Sequence, residues 1–393
     1  MVDNTSAPAP ATAGRRSVRR VVVAIDTSIH YGRGVIGGVN AYAMEAGNWS
    51  LSLRTRRPPR VEDAEHFAEA DGVVLQFEAG MEAALRRLPV PLVNVAAHTM
   101  PRRLPTVCTD HRRIGELAAE HLLERGFTNL AALANAEHHG SQRRCEAFVA
   151  YVQAAGCACA LINAEERRRW LGAWLGEQAR PRGVFVYSAA LARELAEVAW
   201  ELDWAIPDDL AIVGVDNDPL ACDLGHVTLS CVATPLHRIG YEAAKQLDAW
   251  MDAGLTAARL PALRRMIEPT GVLVRRSSDM WITGNPLIAA VLAFIREHVD
   301  RPFVIDDIAA AVGAERRKME RHFKKQLGQT IGAAITRSRM ERAQHLLAGS
   351  NDSIREIARA CGFSSVSYFG KVFGRFAGRT PVAYRDHVGV ASV

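Results

Sequence analysis

The first two thirds of the chain alternate short apolar runs with amphipathic stretches. The short runs are rich in β-branched residues, and between residues 18 and 275 they include RRVVVAID, DGVVLQF, VPLVNVAA, NLAALANA, RGVFVYS and DLAIVGVD. Continuous apolar runs of this length are typical of strands buried on both faces, and their alternation with helical segments predicts parallel sheets. We therefore expect an α/β fold, and the length of this segment allows two such sheets.

Polar side chains directly follow several of these runs. In open α/β folds, ligands bind at the carboxyl ends of the strands, so these side chains are candidates for a small-molecule site. They are Asp26, His30 and Tyr31 around the end of the first run, Asn94 in the third, Ser188 after GVFVY and Asp216 after AIVGV. The pattern thus predicts one binding site that draws on several strand ends.

The last quarter of the chain has helical periodicity and contains an internal repeat. Residues 305–330 and 354–380 align on Gly313 and Gly362, and in both copies apolar residues at i, i+3, i+4 and i+7 precede the glycine. A glycine at this point favours the left-handed conformation that ends a helix and turns the chain. A second amphipathic helix follows, with Met319, Phe323 and Leu327 expected inside in the first copy, and Val366, Phe369, Phe373 and Phe376 in the second. The repeat predicts two helix-turn-helix units in an all-α domain.

The outer faces of the two second helices suit DNA. The first carries Arg316, Arg317, Lys318, Arg321 and Lys324, and the second carries Ser364, Ser365, Ser367, Tyr368 and Lys371. Cationic groups contact phosphates and guanine edges, while short hydroxyl side chains let a helix approach the bases closely. Two amphipathic hairpins of a helical bundle, with solvated charge outside, would show the same pattern. The duplication and the excess of cations favour the DNA-binding interpretation.

Charge is unevenly distributed along the 393 residues. The whole chain has a net charge of +5, but residues 286–387 hold 17 Lys and Arg against 10 Asp and Glu, which leaves about −2 for the rest. This basic quarter favours a nucleic-acid partner. The seven cysteines include no C-x-x-C pair, so they fit a reducing cytoplasm and predict no metal site. No apolar run approaches the roughly 20 residues of a membrane helix.

Residues 357–385, IARACGFSSVSYFGKVFGRFAGRTPVAYR, resemble the signature of the AraC/XylS transcription regulators. The shared elements are I-A-x-x-x-G-F, Y-F-x-x-x-F and the closing G-x-T-P-x-x-Y-R. The resemblance implies that a long helix, here over residues 331–350, joins the two helix-turn-helix units. In the first unit Arg316, Arg321 and Phe323 match the family pattern, whereas both of its usual serines are replaced, so the operator sequence is expected to differ from those of relatives.

The earlier part of the chain resembles the ligand-binding domain shared by LacI/GalR regulators and periplasmic sugar-binding proteins. The matching stretches are VCTDHRRIGELAAEHLLERGFTNLAAL, IPDDLAIVGVDND and LSCVATPLHRIGYEAAKQL. The resemblance implies a two-lobed sensor in which Asp216 accepts hydrogen bonds from ligand hydroxyls and Arg144 donates to them. One departure is that Ser188-Ala189 stands where the family usually has Asn-Asp, so an acidic ligand contact is lost.

These observations predict four segments: a disordered tail (1–17), the sensor (18–275), a linker (276–286) and the DNA-binding domain (287–388). We expect a cytoplasmic, homodimeric transcription regulator of a sugar-utilisation operon that binds a double-stranded DNA operator. As the resemblance implies, the effector is a small sugar, with a pentose such as xylose the first choice, and the protein activates transcription through RNA polymerase. No cofactor, metal, enzymatic activity or membrane association is expected.

Three alternatives stay open at this point. The protein could be a repressor that responds to a ligand other than a pentose. It could be a DNA-repair methyltransferase fused to an AraC-type domain, although Cys108, Cys145 and Cys222 lack the Pro-Cys-His type of context that such a nucleophile needs. It could also be a module that only sequesters a sugar, which the basic last quarter disfavours.

Overall fold

The computed structural model describes residues 18–54, 64–96, 100–164, 182–283 and 285–388. The predicted tail over residues 1–17 lies outside these ranges. The described strands form two six-stranded sheets, one in each lobe of the sensor. None of the described helices is long and apolar enough to cross a membrane.

The first lobe is built on a sheet in which every neighbouring pair of strands is parallel. In chain order its strands are β1 (Arg19–Ala24), β2 (Trp49–Leu53), β3 (Gly72–Leu75), β4 (Leu92–Asn94), β5 (Thr106–Thr109) and β11 (Arg264–Ile267). Their order across the sheet is β11-β5-β4-β3-β1-β2. Strand β1, next to the edge strand β2, pairs Val21 with Leu51 on one side and with Gly72 on the other.

The second lobe has a similar sheet with one antiparallel edge. Its strands are β6 (Asn129–Ala134), β7 (Ala158–Asn163), β8 (Arg182–Val186), β9 (Leu210–Val215), β10 (Ser230–Ala233) and β12 (Gly271–Leu273). They lie in the order β12-β10-β9-β8-β6-β7, and β12 runs antiparallel to β10. The prediction of an α/β sensor with two parallel sheets is confirmed, with this edge strand as the exception.

Helices cover the faces of both sheets. In chain order they are α1 (His30–Ala46), α2 (Ala64–Phe67), α3 (Glu82–Leu85), α4 (His111–Glu124), α5 (His139–Ala154), α6 (Ala189–Glu201), α7 (Pro219–Cys222) and α8 (Leu236–Asp252). In the first lobe, α1 and α8 bury Val35 and Ile239 against the β1 side chains Val21 and Val23. In the second lobe, α4 and α5 form a core in which the rings of Phe148 and Phe185 stack 5.1 Å apart. Burial on both faces explains why the strands are apolar throughout.

The chain passes between the lobes at three places: residues 109–111, 233–236 and 267–271. The first passage follows β5, the second follows β10 and the third links β11 to β12. Because these segments are the only described covalent links between the two sheets, they form the hinge of the cleft. Side chains at the carboxyl ends of both sheets therefore face one another across it.

The C-terminal domain consists of helices in the described residues. They are α9 (Pro286–Glu297), α10 (Ile305–Ala311), α11 (Arg316–Leu327), α12 (Ile331–Gly349), α13 (Ile354–Ala360), α14 (Val366–Ala377) and α15 (Pro381–Val388). In each unit one glycine turn precedes the second helix, at Gly313 (φ 63°) in the first unit and at Gly362 (φ 72°) in the second. A side chain at either position would strain the backbone. The two predicted helix-turn-helix units are α10–α11 and α13–α14, and the predicted long helix is α12.

Each helix-turn-helix unit has its own apolar core, and α12 contributes to both. Ile331 and Ala334 belong to the first core, while Met340, Ala343 and Leu347 belong to the second. The prediction for the inner face of α14 is partly wrong, since Val366 and Phe376 are 38% and 42% exposed. The helix buries one stripe only, around Phe369 and Phe373, and these two positions near its ends lie outside that contact.

The connection between the domains begins later than the predicted linker, 276–286. Arg276–Ser278 forms a 3-10 turn whose two serines are fully buried in the second lobe. The Ser277 hydroxyl donates to the carbonyl of Ile212 at 2.6 Å and accepts from the backbone N–H of Ser230 at 2.9 Å. These bonds tie the turn to the sheet, so the connecting segment starts after Ser278.

Candidate functional site

Asp216 lies at the carboxyl end of β9 and is held in one orientation. Its φ of 70° is uncommon for a residue with a side chain, and such backbone strain concentrates at functional sites. One carboxylate oxygen, Oδ1, accepts a hydrogen bond from the Thr234 hydroxyl at 2.6 Å. The backbone N–H donates to the carbonyl of Val232. The half-buried carboxylate is thus fixed at the second hinge passage, where a ligand hydroxyl can reach it.

Arg144 reaches the same cleft from α5. It is only 6% exposed, its Nε donates to His111 Nδ1 at 3.1 Å, and its Nη1 donates to the carbonyl of Tyr187 at 2.8 Å. These bonds hold a buried guanidinium at the end of β8. Burial lowers the pKa of His111 well below its usual range, and the neighbouring charge of Arg144 lowers it too. His111 is therefore neutral, and Arg144 is the cation of this part of the cleft.

Tyr31, on the first turn of α1, faces Asp216 and Arg144 from the first lobe. Its hydroxyl donates to the carbonyl of Val95. Burial raises the pKa of Tyr31 far above its usual value, and among its charged neighbours Asp216 raises this pKa while Arg144 lowers it. Asp216 and Arg144 of the second lobe therefore lie within electrostatic reach of Tyr31 of the first lobe.

Asp26 and His30 occupy the turn between β1 and α1. Asp26 Oδ1 accepts hydrogen bonds from the Ser28 backbone N–H at 2.8 Å and the Ser28 hydroxyl at 2.6 Å, and its own backbone N–H donates to Gln76. His30 is the half-buried first residue of α1. Both lie on the strand-end side of the first lobe, and Asp26 shapes the turn that presents Tyr31.

Asn94 is a correction to the predicted ligand set. It is 0% exposed, its Oδ1 accepts from the backbone N–H groups of Phe77 and Ala96, and its Nδ2 donates to the Ala96 carbonyl and the Thr106 hydroxyl. An amide side chain has two donors and two acceptor sites, so all four are used. Asn94 braces the ends of neighbouring strands and has no capacity left for a ligand.

Ser188 has a structural role in addition to its predicted one. It is the N-cap of α6, and its hydroxyl oxygen accepts from the backbone N–H of Leu191 at 3.3 Å. The hydroxyl hydrogen of this half-buried residue remains available for donation. The sequence analysis did not name His111 or Thr234. Thr234 directly follows β10 and His111 is the second residue after β5, so a search of every strand end would have found both.

The second lobe also contacts α12 of the C-terminal domain. Arg125, only 2% exposed, forms an ion pair with Glu341 at 3.0 Å, and Arg337 forms one with Glu124 at 2.8 Å. Trp281 lies against both guanidinium groups, with its ring centre 5.4 Å from Arg125 and 5.9 Å from Arg337. The helix that contributes to both helix-turn-helix cores is therefore attached to the sensor by buried as well as exposed ion pairs.

A chain of polar contacts leads from the residue after Asp216 to a second region where the two domains meet. The next residue, Asn217, accepts from Arg275 Nη2 at 2.5 Å, and Arg275 also pairs with Asp223 at 2.9 Å. Arg275 lines a cavity of about 500 Å³ between the domains, together with Arg276, Arg296, Arg342 and His345. This cavity places His345 of α12 within the electrostatic reach of Arg275 and Asp223.

We expect His345 to make the joined domains sensitive to acid. Burial, and after it the charge of Arg275, lowers the pKa of His345 from 6.5 to about 4. Between these values the unfolded chain binds a proton that the folded chain does not, so stability falls as the pH drops. From about pH 7 to about pH 5.5 the loss is expected to be about 1 kcal/mol. Denaturant melts of the wild type and of His345→Gln at both pH values measure it.

In this experiment His111 and His121, whose pKa values are also lowered by burial, titrate in both proteins. The difference between the two pH slopes therefore isolates His345. Parallel slopes would show that His345 protonates equally well in the folded and unfolded chain.

The outer face of α11 is exposed at all five predicted positions, Arg316, Arg317, Lys318, Arg321 and Lys324. Arg316 is already paired, with Asp306 at 2.9 Å and Glu320 at 3.6 Å. The other four are solvent-exposed cations on the face opposite the buried Met319 and Phe323. This arrangement suits contact with a phosphate backbone.

The five predicted residues at α14 are all exposed: Ser364 and Ser365 directly precede the helix, and Ser367, Tyr368 and Lys371 lie on its outer face. Ser365 is also the N-cap, since its hydroxyl oxygen accepts from the backbone N–H of Tyr368 at 3.3 Å. Tyr368 is 62% exposed. The face is mainly small and polar, as the sequence predicted, and it differs in charge from α11. In the described residues no group of three or more His, Cys, Asp or Glu side chains could hold a metal ion.

Comparisons with known proteins agree with this architecture. A periplasmic binding protein-like domain matches residues 119–278, and a helix-turn-helix domain matches residues 308–387. The xylose operon regulatory protein of Escherichia coli K12 is 29% identical over 384 residues, which cover 93% of this chain and 97% of that protein. Its counterpart from Haemophilus influenzae is 26% identical over 373 residues, which cover 90% and 95% of the two chains.

A solved structure of the xylose-binding transcription activator XylR has a similar fold over most of the chain. It superposes with a TM-score of 0.60 at 27% identity, and the match covers 95% of this chain and 100% of that one. The similarity therefore includes both domains and their order. The chain therefore joins a periplasmic binding protein-like domain to an AraC-type helix-turn-helix domain, and over nearly its whole length it is similar to xylose operon transcription regulators.

Proposed function

We propose that the protein regulates a sugar-utilisation operon in response to a small polyhydroxylated effector bound between the sensor lobes. The observation that carries this proposal is that the second lobe holds a fixed carboxylate, Asp216, and a buried guanidinium, Arg144, at its strand ends, both within electrostatic reach of Tyr31 in the first lobe. A sugar hydroxyl both donates and accepts hydrogen bonds, so a carboxylate beside a guanidinium matches it well. The hinge segments next to these residues let the two lobes close on the ligand.

A pentose such as xylose is the first effector to test, and activation through RNA polymerase is the expected effect on transcription. The similarity to xylose operon regulatory proteins and to a xylose-binding activator supports both. The competing function is repression in response to a ligand other than a pentose. Ser188-Ala189 supports this competitor, because it removes the acidic residue that the family usually places after β8.

The effector acts on DNA binding through α12. This helix belongs to the cores of both helix-turn-helix units, and the second lobe holds it through Arg125 and Glu341. A ligand shifts such an equilibrium only when it binds one arrangement of the lobes more tightly than the other. Arg275 extends this contact to the ligand site, since it bonds Asn217 beside Asp216.

The protein acts in the cytoplasm as a homodimer on double-stranded DNA. Each C-terminal domain places α11 and α14 in successive major grooves, and two domains bind two half-sites. The cations of α11 supply most of the phosphate contacts, while Ser364, Ser367 and Tyr368 of α14 approach the base edges.

The test uses the purified full-length protein. Its operator is first selected from a pool of random duplexes, and pentoses and other polyols are then screened by thermal shift and by their effect on operator affinity. We expect at least one polyhydroxylated compound to raise the melting temperature and to change operator affinity. If a compound raises the melting temperature but does not change operator affinity, the protein binds that compound but is not regulated by it. Selection of no duplex would refute the DNA-binding function.

We expect Lys371→Ala to weaken binding to all duplexes by a similar factor. Lys371 is exposed on the outer face of α14, one turn after Tyr368, so it is placed for a phosphate rather than a base. The slope of log affinity against log salt should fall in magnitude by about one, because about one counterion fewer is released. Fluorescence anisotropy over a salt series measures this slope.

The matched control is Lys245→Ala, which removes an exposed lysine from α8 of the sensor. It should leave the slope as in the wild type. An equal change in the two variants would mean that Lys371 acts only through overall charge.

A further inference from the structure

Tyr384 of α15 buries its hydroxyl where the C-terminal domain meets the sensor. The residue is 2% exposed, and its ring belongs to the core of the second helix-turn-helix unit, 5.3 Å from the ring of Phe373. The hydroxyl oxygen is enclosed, yet it forms no hydrogen bond with any residue that the structure describes. A buried hydroxyl without a hydrogen bond is costly, so this one requires an explanation.

Two polar side chains lie next to this hydroxyl. Burial raises the pKa of Tyr384, whereas polar contacts with the side chains of Thr270 and Gln344 lower it. Thr270 belongs to the third hinge passage of the sensor, and Gln344 belongs to α12. Helix α15 also packs against α8, which begins at the end of the second hinge passage. The hydroxyl of Tyr384 is therefore close enough to Thr270 for a hydrogen bond to form after a small movement.

The C-terminal half of α12 holds the two domains together at this point. Ala348 packs into the core of the second lobe with Leu273 of β12, the strand that follows the third hinge passage. The preceding residue of α12, Leu347, packs into the core of the second helix-turn-helix unit with Tyr384. Gln344 lies one turn earlier on the same helix and is 7% exposed. The second helix-turn-helix unit is thus seated against the end of the third hinge passage.

Contacts continue from Thr270 to the proposed ligand site. Its backbone N–H and its hydroxyl both donate to the carbonyl of Ala233, at 3.0 and 3.2 Å. Ala233 ends β10, and the next residue, Thr234, donates its hydroxyl to Asp216 Oδ1 at 2.6 Å. Because closure of the lobes bends the second and third hinge passages, it moves Thr270 relative to Tyr384.

We infer that the hydroxyl of Tyr384 couples the sensor to the second helix-turn-helix unit, because it bonds Thr270 in one arrangement of the lobes and not in the other. This inference rests on the proposed function and specifies how the cleft regulates DNA binding. A ligand shifts an equilibrium between two arrangements only through interactions that differ between them. A buried hydroxyl that is paired in one arrangement and unpaired in the other supplies such a difference.

Hydrogen–deuterium exchange on the full-length protein tests the coupling without a known effector, since coupling between two sites is reciprocal. The probe is the selected operator duplex at saturating concentration, and the readout is the exchange of backbone N–H groups in residues 267–273. We expect operator binding to change this exchange rate at least about 5-fold in the wild type. In Tyr384→Phe, which keeps the ring, the change should fall below about 2-fold.

Variants at Thr270 distinguish the hydroxyl contact from packing. Thr270→Val keeps the backbone bond to Ala233 but removes the hydroxyl, so it should lose the operator-dependent change as Tyr384→Phe does. Thr270→Ser keeps a hydroxyl and should retain the change. The double variant should lose no more than either single variant, because the two side chains act as one unit. Tyr241→Phe, the matched control, removes a hydroxyl that bonds Glu45 on the first lobe and should behave as the wild type.

The outcomes separate this inference from the proposed function. If operator binding leaves the exchange of residues 267–273 unchanged in the wild type, or changes it equally in Tyr384→Phe, the inference is wrong while the selected operator still supports a regulator. If no duplex is selected, the hinge has no DNA binding to regulate and both are wrong. Melting temperatures show whether Tyr384→Phe or Thr270→Val loses the change by unfolding, in which case the other variant decides.

Discussion

Replacing Phe373 by alanine is expected to destabilise the second helix-turn-helix unit by about 3–5 kcal/mol and to abolish operator binding. Phe373 is 0% exposed, and its ring centre lies 5.8 Å from Phe369 and 5.3 Å from Tyr384. Among the described residues, the core of this unit contains ten buried side chains, four of them aromatic, so one phenylalanine ring is a large part of its volume. A small core cannot collapse around the lost ring, so most of the cavity remains.

Chemical denaturation followed by circular dichroism, together with fluorescence anisotropy on the operator, measures the effect of Phe373→Ala. The sensor should keep its effector affinity, because its lobes have separate cores. Phe376→Ala on the same helix is the matched control. Since Phe376 is 42% exposed, its loss should cost less than about 1 kcal/mol. Equal losses in the two variants would contradict the packing described for α14.

Replacing Asp216 by glycine is expected to lower effector affinity by about 100-fold or more, since hydrogen bonds to a charged group contribute about 1.5–3 kcal/mol each. Glycine is the suitable deletion because it adopts the φ of 70° without strain, whereas alanine there would cost about 1–2 kcal/mol. The effector-free protein should keep its melting temperature and its operator affinity. Calorimetry with the effector and anisotropy with the operator measure the two properties.

Asp216→Asn is the companion variant. Asparagine tolerates the same backbone conformation and keeps an oxygen for the Thr234 hydroxyl, so only the charge is lost. Its effector affinity should lie between those of the wild type and the glycine variant. Full effector response in Asp216→Gly would place the ligand outside this cleft.

The helices of the C-terminal domain could be predicted because their causes are local. Apolar residues three and four positions apart, closed by Gly313 or Gly362, specify a helix and a turn within one short segment. The positive φ of both glycines confirms that reasoning. The error at Val366 and Phe376 has a tertiary cause, since the neighbours that cover α14 leave its two ends exposed.

For the proposed ligand site, the sequence indicated a position but not which polar groups are free. Strand ends identified Asp216 and Tyr31, and the family resemblance identified Arg144. Asn94 met the same strand-end criterion, but its four hydrogen bonds are used by Phe77, Ala96 and Thr106. Which polar groups remain free depends on partners that other strands supply.

By itself, the sequence determined the two sheets, the duplicated helix-turn-helix unit, the basic last quarter and the strand ends that surround the cleft. These features follow from periodicity, turn residues and charge within continuous segments. Only the tertiary structure decided that α12 is attached to the sensor, through an ion pair between Arg125 and Glu341, 216 residues apart. Such a contact has no local pattern, because its two charged partners come from different domains and attract each other only once folding has placed them side by side.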